Sequence, residues 1–567
     1  VIGRLGRFVV AAVALVMVAG GWRAATLPAP YAPAAARPGA AEGAIRVAYH
    51  IHTRRSDGTG TPEEIARAAR DAGIDAVILT DHGDATRVPD PPRRLHDVLV
   101  VEAVEVSTWG GHYVALGAAP APYPLAGEPD AVAEDVARLG GMGVAAHPGS
   151  SKDGLRWRGW DAPFDGLEWL NADSEWRDRP RDLWAAFASY PWSPVSTIAA
   201  MLDRPAAELR AWDDRLARRT SVGLAAHDAH ARLGLRGMGE PYDGAVAVRA
   251  PWYTPMFRAF SNVVQVPPGT WGRSAAADWA ALLTAVRAGR VYTVVTGRGT
   301  SWVRTFRATS GTASAGMGGH LVPEGPVRFQ VDVEAPPSAT TSLVCGGRRV
   351  ARAPGGRLDW TSGVDPPGAC RAEVALDDPE GMPWVVTNPI YARPALAATL
   401  PAALEPAREA VPMAGSGDVA GWTREVPAGA SGTLTVPAEP DGAGRVRFEW
   451  RLGAEPATFA AAALPVAGGL AGADRLSVRI AASRPMRVWL QLRRPAAGGQ
   501  RWGRSVYAET TPRMVTVPLA SLLPLDGQGT GALPLAEITA LLVVVDTVHH
   551  RPGSAGAVTV DGWTWGR

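Results

Sequence analysis

The chain has 567 residues, too many for one ordinary core, so several domains are expected, each burying its own apolar surface. Its 57 basic and 55 acidic side chains nearly cancel, leaving a formal net charge of +2. That balance argues against a dedicated nucleic-acid binder, whose affinity would rest on many phosphate contacts, and favours a small or moderate ligand.

At the start, Arg4 and Arg7 precede the apolar run Phe8 to Ala19, the pattern of a secretory signal. Residues 1–27 are expected to be a cleaved signal or, if the run extends through Trp22, an uncleaved membrane anchor. Either reading makes the protein exported, periplasmic or extracellular. Residues 28–43 are rich in Ala and Pro and read as a linker. From Ile45 short apolar runs alternate with helical stretches: Ile45-Arg-Val-Ala-Tyr, then Pro62 to Ala72, then Ala76-Val-Ile-Leu-Thr. Thr61 is an N-cap candidate with Pro62 at the first helical position and two glutamates following, and Gly73 ends that helix.

The alternation continues through Val98-Leu-Val-Val, Tyr113-Val-Ala-Leu, Gly143-Val-Ala-Ala, Gly166-Leu-Glu-Trp-Leu and Ser221 to Ala226, with a helical insertion over 181–218. This predicts a parallel α/β barrel over 44–300. Short alternating strands between Pro and Gly turns then predict a small β-sandwich at 301–393, a linker at 394–415, and a jelly-roll-like β-sandwich at 416–567. The fold class is therefore multidomain, α/β plus β. The two cysteines, Cys345 and Cys370, either form one bridge in an oxidising compartment or remain separate buried thiols.

Eight of the eleven histidines lie between His50 and His230, and seven of those eight stand at or just beyond a predicted strand end, where barrel loops assemble sites. His50 and His52, two apart on one strand, are expected to share a face of the pleat and converge on one ion. Asp57 follows on a tight turn. His82, Glu105, His112, His147, His227, Asp228 and His230 come after later strands. A single such histidine would more often be structural; the conjunction points to a metal site. A mixed nitrogen and oxygen set suits zinc, manganese or iron better than calcium or magnesium.

These motifs, His50-Ile-His52-Thr with Ser56-Asp57-Gly58, Thr80-Asp81-His82, Glu105, Gly111-His112, Ala146-His147-Pro148 and Asp228-Ala-His230, resemble in order those of the PHP (polymerase and histidinol phosphatase) superfamily. The resemblance covers roughly 44–296. It implies a distorted (β/α)7 barrel and two or three divalent ions. One ion would be held by His50, His52, Glu105 and Asp228, with Glu105 bridging to a second at His112 and His147, and a third at Asp57, His82 and His230. Asp81, His227 and Glu168 would orient those ligands. The segments Gly289 to Gly297 and Trp384 to Tyr391 are more loosely similar to a CehA/McbA-like subgroup with a trailing β-domain.

The resemblance implies a metal-dependent hydrolase, with phosphoesters the favoured substrates. A water shared between two cations, its pKa lowered from about 15.7 toward 7, is the expected nucleophile. Glu105, Asp228 and His230 are the catalytic candidates, and His227 or His230 the possible proton donor. Arg54 and Arg55 could hold a substrate anion. A carbamate, ester or amide at the same centre is the alternative. A surface glycan-binding protein is the alternative of another class, with Trp489, Trp502, Trp563 and Trp565 as possible sugar platforms that would otherwise pack the sandwich. The expected partner is a small-molecule or glycan-linked ester, with possible membrane attachment through the N-terminal segment.

Overall fold

The computed structural model describes residues 4–177, 183–232, 250–394, 404–437, 444–495, 499–525 and 533–567. The first three residues of the expected signal, the first two of the helical insertion and residues 395–403 of the second linker fall outside these. The chain forms two compact units, one of residues 1–83, 88–119 and 136–399, the other of residues 84–87, 120–135 and 400–567.

In the first unit, helix α1 (Arg4–Thr26) precedes β1 (Ala44–Ile51), α2 (Pro62–Asp71), β2 (Ala76–Leu79), β3 (Arg93–Leu95) and β4 (Val98–Glu102). The cap on α2 forms as the sequence predicts: Thr61 Oγ1 accepts from the Glu64 N–H at 3.2 Å, and Glu64 Oε2 accepts from the Thr61 N–H at 2.9 Å. Next come β5 (Val104–Thr108), β6 (Gly111–Leu116), α3 (Pro129–Arg138), whose residues 129–135 belong to the second unit, β7 (Met142–Ala145) and β8 (Gly166–Asn171). They are followed by α4 (Ala172–Arg177), α5 (Leu183–Ser189), α6 (Pro194–Met201), α7 (Ala206–Arg218) and β9 (Val222–Ala226). Then α8 (Tyr253–Ala259), β10 (Ser261–Gln265), α9 (Ala275–Arg287) and β11 (Val291–Val294) complete the series.

The expected ring of parallel strand–helix units is realised only in part. Strands β1, β2 and β4 pair in parallel, as do β7, β8 and β9, but β1–β10, β10–β11, β5–β6 and β6–β7 are antiparallel. The reason for one departure is local: only Trp109 and Gly110 separate β5 from β6, which is hairpin length and far too short for a crossover. The strands form two sheets rather than one closed ladder. Parallel bridges Ile51↔Ala229 and His82↔Glu105 join them at their ends, and the Asn262 amide of β10 bonds both the N–H and the C=O of Ala225 in β9. Between the sheets lie Val47, Tyr49, Ile78, Leu99, Val101, Val144 and Leu224, all buried.

Residues 301–393 contribute a four-stranded sheet and a set of strands that extend the first sheet, because β11 pairs with Val385–Thr387. Asn388 ties the junction, accepting from the Gly223 N–H and donating to the carbonyls of Gly223 and Val291. Cys345 and Cys370 face each other on neighbouring strands and form a disulfide. The Ala/Pro-rich stretch is not free of structure. Its Tyr31 N–H donates to Arg298 O at 3.0 Å, its carbonyl accepts from the Thr300 N–H at 2.9 Å, and its hydroxyl donates to Glu334 at 2.9 Å.

The second unit is a β-sandwich of two six-stranded sheets, with strand pairs that are all antiparallel among the described residues. Trp489, Trp502 and Trp563 are buried in it and cannot stack on a ligand, while Trp565 is half-buried. Arg487 is also buried, where it bonds both oxygens of Asp135 and the Ser505 carbonyl.

Candidate metal centre

Most of the candidate ligands stand at the ends of strands or past them, while Glu105 and His112 each lie second in their strands. His50 lies at a bulge of β1 against β2, with φ of +64°, and His147 and Asp228, just past β7 and β9, have φ of +48° and +46°. Non-glycine residues avoid this left-handed region, and such strain is held by surrounding structure where a side chain must be aimed. His50 Nε2 and His52 Nε2 come within 3.1 Å of each other, so the pair converges as expected, but through the bulge rather than through a regular pleat.

Glu105, fully buried, is the hub. Its Oε1 lies 2.8 Å from His112 Nδ1 and 2.7 Å from His147 Nε2. Its Oε2 lies 3.3 Å from both His50 Nε2 and His52 Nε2, and 3.2 Å from His82 Nδ1. Asp228 Oδ2 is 3.1 Å from His147 Nδ1, and Oδ1 is 3.3 Å from His52 Nε2 and 3.5 Å from His50 Nε2. On the outer side, Asp57 Oδ2 is 3.1 Å from His230 Nε2 and 3.7 Å from His82 Nε2, while Oδ1 is 3.3 Å from His52 Nδ1. All nine expected ligands are thus brought together. They fall into overlapping groups able to surround a cation: His52, Asp57, His82 and His230; His50, His147 and Asp228; His50, His52 and Glu105; His82, Glu105 and His112. The groups overlap, since His52 faces the Asp57 group as well as Glu105, and His147 meets both Glu105 and Asp228.

The donor set fits divalent cations. Asp57 Oδ1, Glu105 Oε2 and both oxygens of Asp228 are buried yet make no well-formed hydrogen bond, although imidazole nitrogens surround them. Buried carboxylate oxygens are costly when left so, and a cation shared with the imidazole lone pairs would satisfy them. The mutual charges are large. Burial opposes ionisation of Glu105, but the imidazoles of His50, His112, His82 and His147 hold its carboxyl well below the usual range. Burial likewise lowers His50 and His147, yet the surrounding carboxylates outweigh it and raise both well above the ordinary histidine value. At His230, burial is overcome by its Asp57 bond and by Asp228, which push it up to about 9.

The inner groups are sealed, and access comes from the side of His82 and His230, whose side chains are 15% and 20% exposed against 0% for Glu105. The orienting residues are clear. Glu168 Oε1 accepts from His50 Nδ1 at 2.6 Å, and Oε2 accepts from the His147 N–H at 3.0 Å and Asn171 Nδ2 at 2.8 Å. Carboxylates that grip the far nitrogen of a ligating histidine fix its tautomer in this way. Asp81 accepts from Thr53 N–H, Thr53 Oγ1 and Ser56 Oγ, pinning the loop between His52 and Asp57.

Three expectations change. His227 orients no ligand: it stacks on Phe260 at 4.2 Å, its nitrogens lie near the carbonyls of Tyr49 and Phe260, and burial depresses it to about 4. That position also removes it as a proton donor. Arg55 is held by Glu102 and Asp90, and half-exposed Arg54 by Thr59 O and Glu64, so neither guanidinium is available to an anion without losing those partners. Sequence reasoning passed over Asn171, although its place three residues after Glu168 at one strand end was a signal. It also missed Tyr253, whose hydroxyl donates to His52 O at 2.9 Å and accepts from the Gly60 N–H at 3.0 Å. Nothing in the local pattern around Tyr253 marks it.

Residues 48–106 match the PHP domain family. No curated protein matches this chain. Among solved structures, a two-domain protein from Bacteroides vulgatus, described as containing a predicted PHP-like metal-dependent phosphoesterase, is similar with 13% identity over 63% of this chain and 99% of that one, at a TM-score of 0.27. A family 11 carbohydrate-binding module from Clostridium thermocellum, in complex with a mixed-linked β-1,3-1,4 tetrasaccharide, is similar with 13% identity over 27% of this chain and 94% of that one, at a TM-score of 0.24.

Proposed function

We propose that this protein is an exported metal-dependent hydrolase that cleaves phosphoesters. The observation that carries the reading is the buried Glu105, whose two oxygens face five imidazole nitrogens within 3.3 Å, inside a segment matching the PHP family. The residues that would hold the cations are His50, His52, Asp57, His82, Glu105, His112, His147, Asp228 and His230. Divalent ions bound there would supply positive charge to the phosphoryl oxygens and acidify the attacking water.

The chain's own residues do the rest. Glu168 holds His50 with Nδ1 protonated, leaving Nε2 free to bind. The rim formed by Asp57, His82 and His230 receives the substrate, being the exposed side of the cluster. The apolar helix α1 and the Cys345–Cys370 disulfide support export to an oxidising compartment.

The test is metal analysis of the purified chain together with hydrolysis of p-nitrophenyl phosphate, bis-p-nitrophenyl phosphate and a naphthyl carbamate. Turnover of either phosphoester, lost in a His50→Ala, Glu105→Ala double variant, is expected. Cleavage of the carbamate alone would replace the phosphoester by a carbonyl substrate, and less than one equivalent of bound metal would remove the centre itself.

A further inference from the structure

The first unit has an apolar pocket whose walls include Phe187, Tyr190, Ile198, Met201, Leu202 and Met256. Two features connect it to the metal cluster. Ala172, also in its wall, follows Asn171, whose Nδ2 lies 3.2 Å from His147 Nδ1. Met256 lies on α8, one turn beyond Tyr253, which holds the His52 carbonyl.

At the other side the pocket meets apolar surface. Phe187 lines it and is 47% exposed, and Trp192, just past α5, is 57% exposed. Among the described residues these are two of the four exposed Trp and Phe side chains in this unit outside α1, and both stand beside α1. A Cβ on Gly20 would meet the Ala188 backbone at 1.9 Å, and one on Gly21 would touch the Trp192 ring at 3.6 Å. Helix α1 in turn exposes Val13, Leu15, Val16, Val18 and Trp22. The helix cannot stray far. Tyr31 is bonded into the unit through both its N–H and its carbonyl, and the five residue steps from Thr26 to Tyr31 span at most about 18 Å. An apolar helix, an aromatic ledge and an apolar pocket are therefore contiguous, an arrangement that costs free energy in water and that a bilayer interface would cover.

Resting on the phosphoesterase reading, we propose that the substrate is an amphiphilic phosphoester taken from a lipid bilayer. Helix α1, Phe187 and Trp192 seat the unit on the membrane, the acyl or prenyl chain enters the apolar pocket, and the phosphate reaches the metal cluster. In the reaction the oxygen of water bonds to phosphorus, the bond from phosphorus to the lipid alcohol oxygen breaks, and that oxygen gains a proton.

The experiment uses the full chain loaded with metal and phosphatidylcholine vesicles. Phosphatidate is compared with glycerol 3-phosphate, and phosphatidylglycerol with glycerophosphoglycerol, alongside the two nitrophenyl phosphates. For the ester class that the soluble probes identify, the lipid should be cleaved about a hundredfold more efficiently than its headgroup, the equivalent of burying a few methylenes. Met201→Glu should remove that preference while leaving nitrophenyl phosphate turnover unchanged, which also shows that the variant folds. Vesicle flotation reads the seating without catalysis: the chain should float, and Phe187→Ser with Trp192→Ser should weaken it. If soluble esters turn over but the lipid is no better than its headgroup, the lipid inference is overturned and the phosphoesterase stands. Failure to float overturns it too. If no phosphoester of any kind is cleaved, both readings fall.

Discussion

Replacing Glu168 by Gln changes one oxygen to an amide and is the sharpest test of how the cluster is held. Glu168 accepts from three donors: His50 Nδ1 at 2.6 Å, the His147 N–H at 3.0 Å and Asn171 Nδ2 at 2.8 Å. Glutamine has one acceptor oxygen. If that oxygen stays with His147 and Asn171, the amide N–H₂ faces His50 Nδ1, which must then accept. The His50 proton moves to Nε2, and a ligand is lost. If the amide is flipped, two donors meet donors, and each buried group so orphaned costs about 1–3 kcal/mol. The first arrangement is the cheaper, so the damage should appear in metal affinity, weakened about 10- to 100-fold, or about 1.4–2.7 kcal/mol. A chelator competition titration near neutral pH measures this, with thermal unfolding of the metal-free protein beside it. Metal affinity within about twofold of the parent would refute the tautomer argument, even if the metal-free protein were destabilised.

Three further outcomes are expected. Replacing both Cys345 and Cys370 with Ser removes a cross-link spanning 25 residues of sequence and should cost about 3.5 kcal/mol by loop-closure entropy, read from denaturant unfolding. His550 is depressed to about 4 by burial, so it is neutral when folded and gains a proton on unfolding below its ordinary value of 6.5. Stability should therefore be intact above pH 6.5 and fall as pH drops toward 4, by about 3 kcal/mol for this group, and His550→Gln should flatten that slope in urea titrations. Arg487→Met strips a buried partner from Asp135 and should destabilise by about 3–5 kcal/mol, again by urea unfolding.

The candidate site was legible because its parts are short and local. Apolar runs ending in His or acid mark strand ends whatever the exact sheet, so all nine clustered residues could be named as candidates before their geometry was known. Their grouping could not. Whether His52 faces Glu105 or Asp57 depends on a bulge at His50 and on how six separate strands are brought together, which no local pattern encodes. The same limit explains Tyr253 and His227. One reaches the site from a helix 201 residues beyond His52; the other, beside Asp228, turns away to stack on Phe260.

By itself the sequence determined the local chemistry: the capped helix α2, the types of the candidate ligands and the β-rich character of the trailing segments. These follow from propensity, spacing and period, which act over a few residues. Tertiary structure alone decided that β10 pairs antiparallel with both β1 and β11, how residues 301–393 continue the first sheet through β11, and how α1, Phe187 and Trp192 come together. Those features rest on contacts between residues far apart in the chain, where packing and buried hydrogen bonding select one arrangement among many that the same local signals permit.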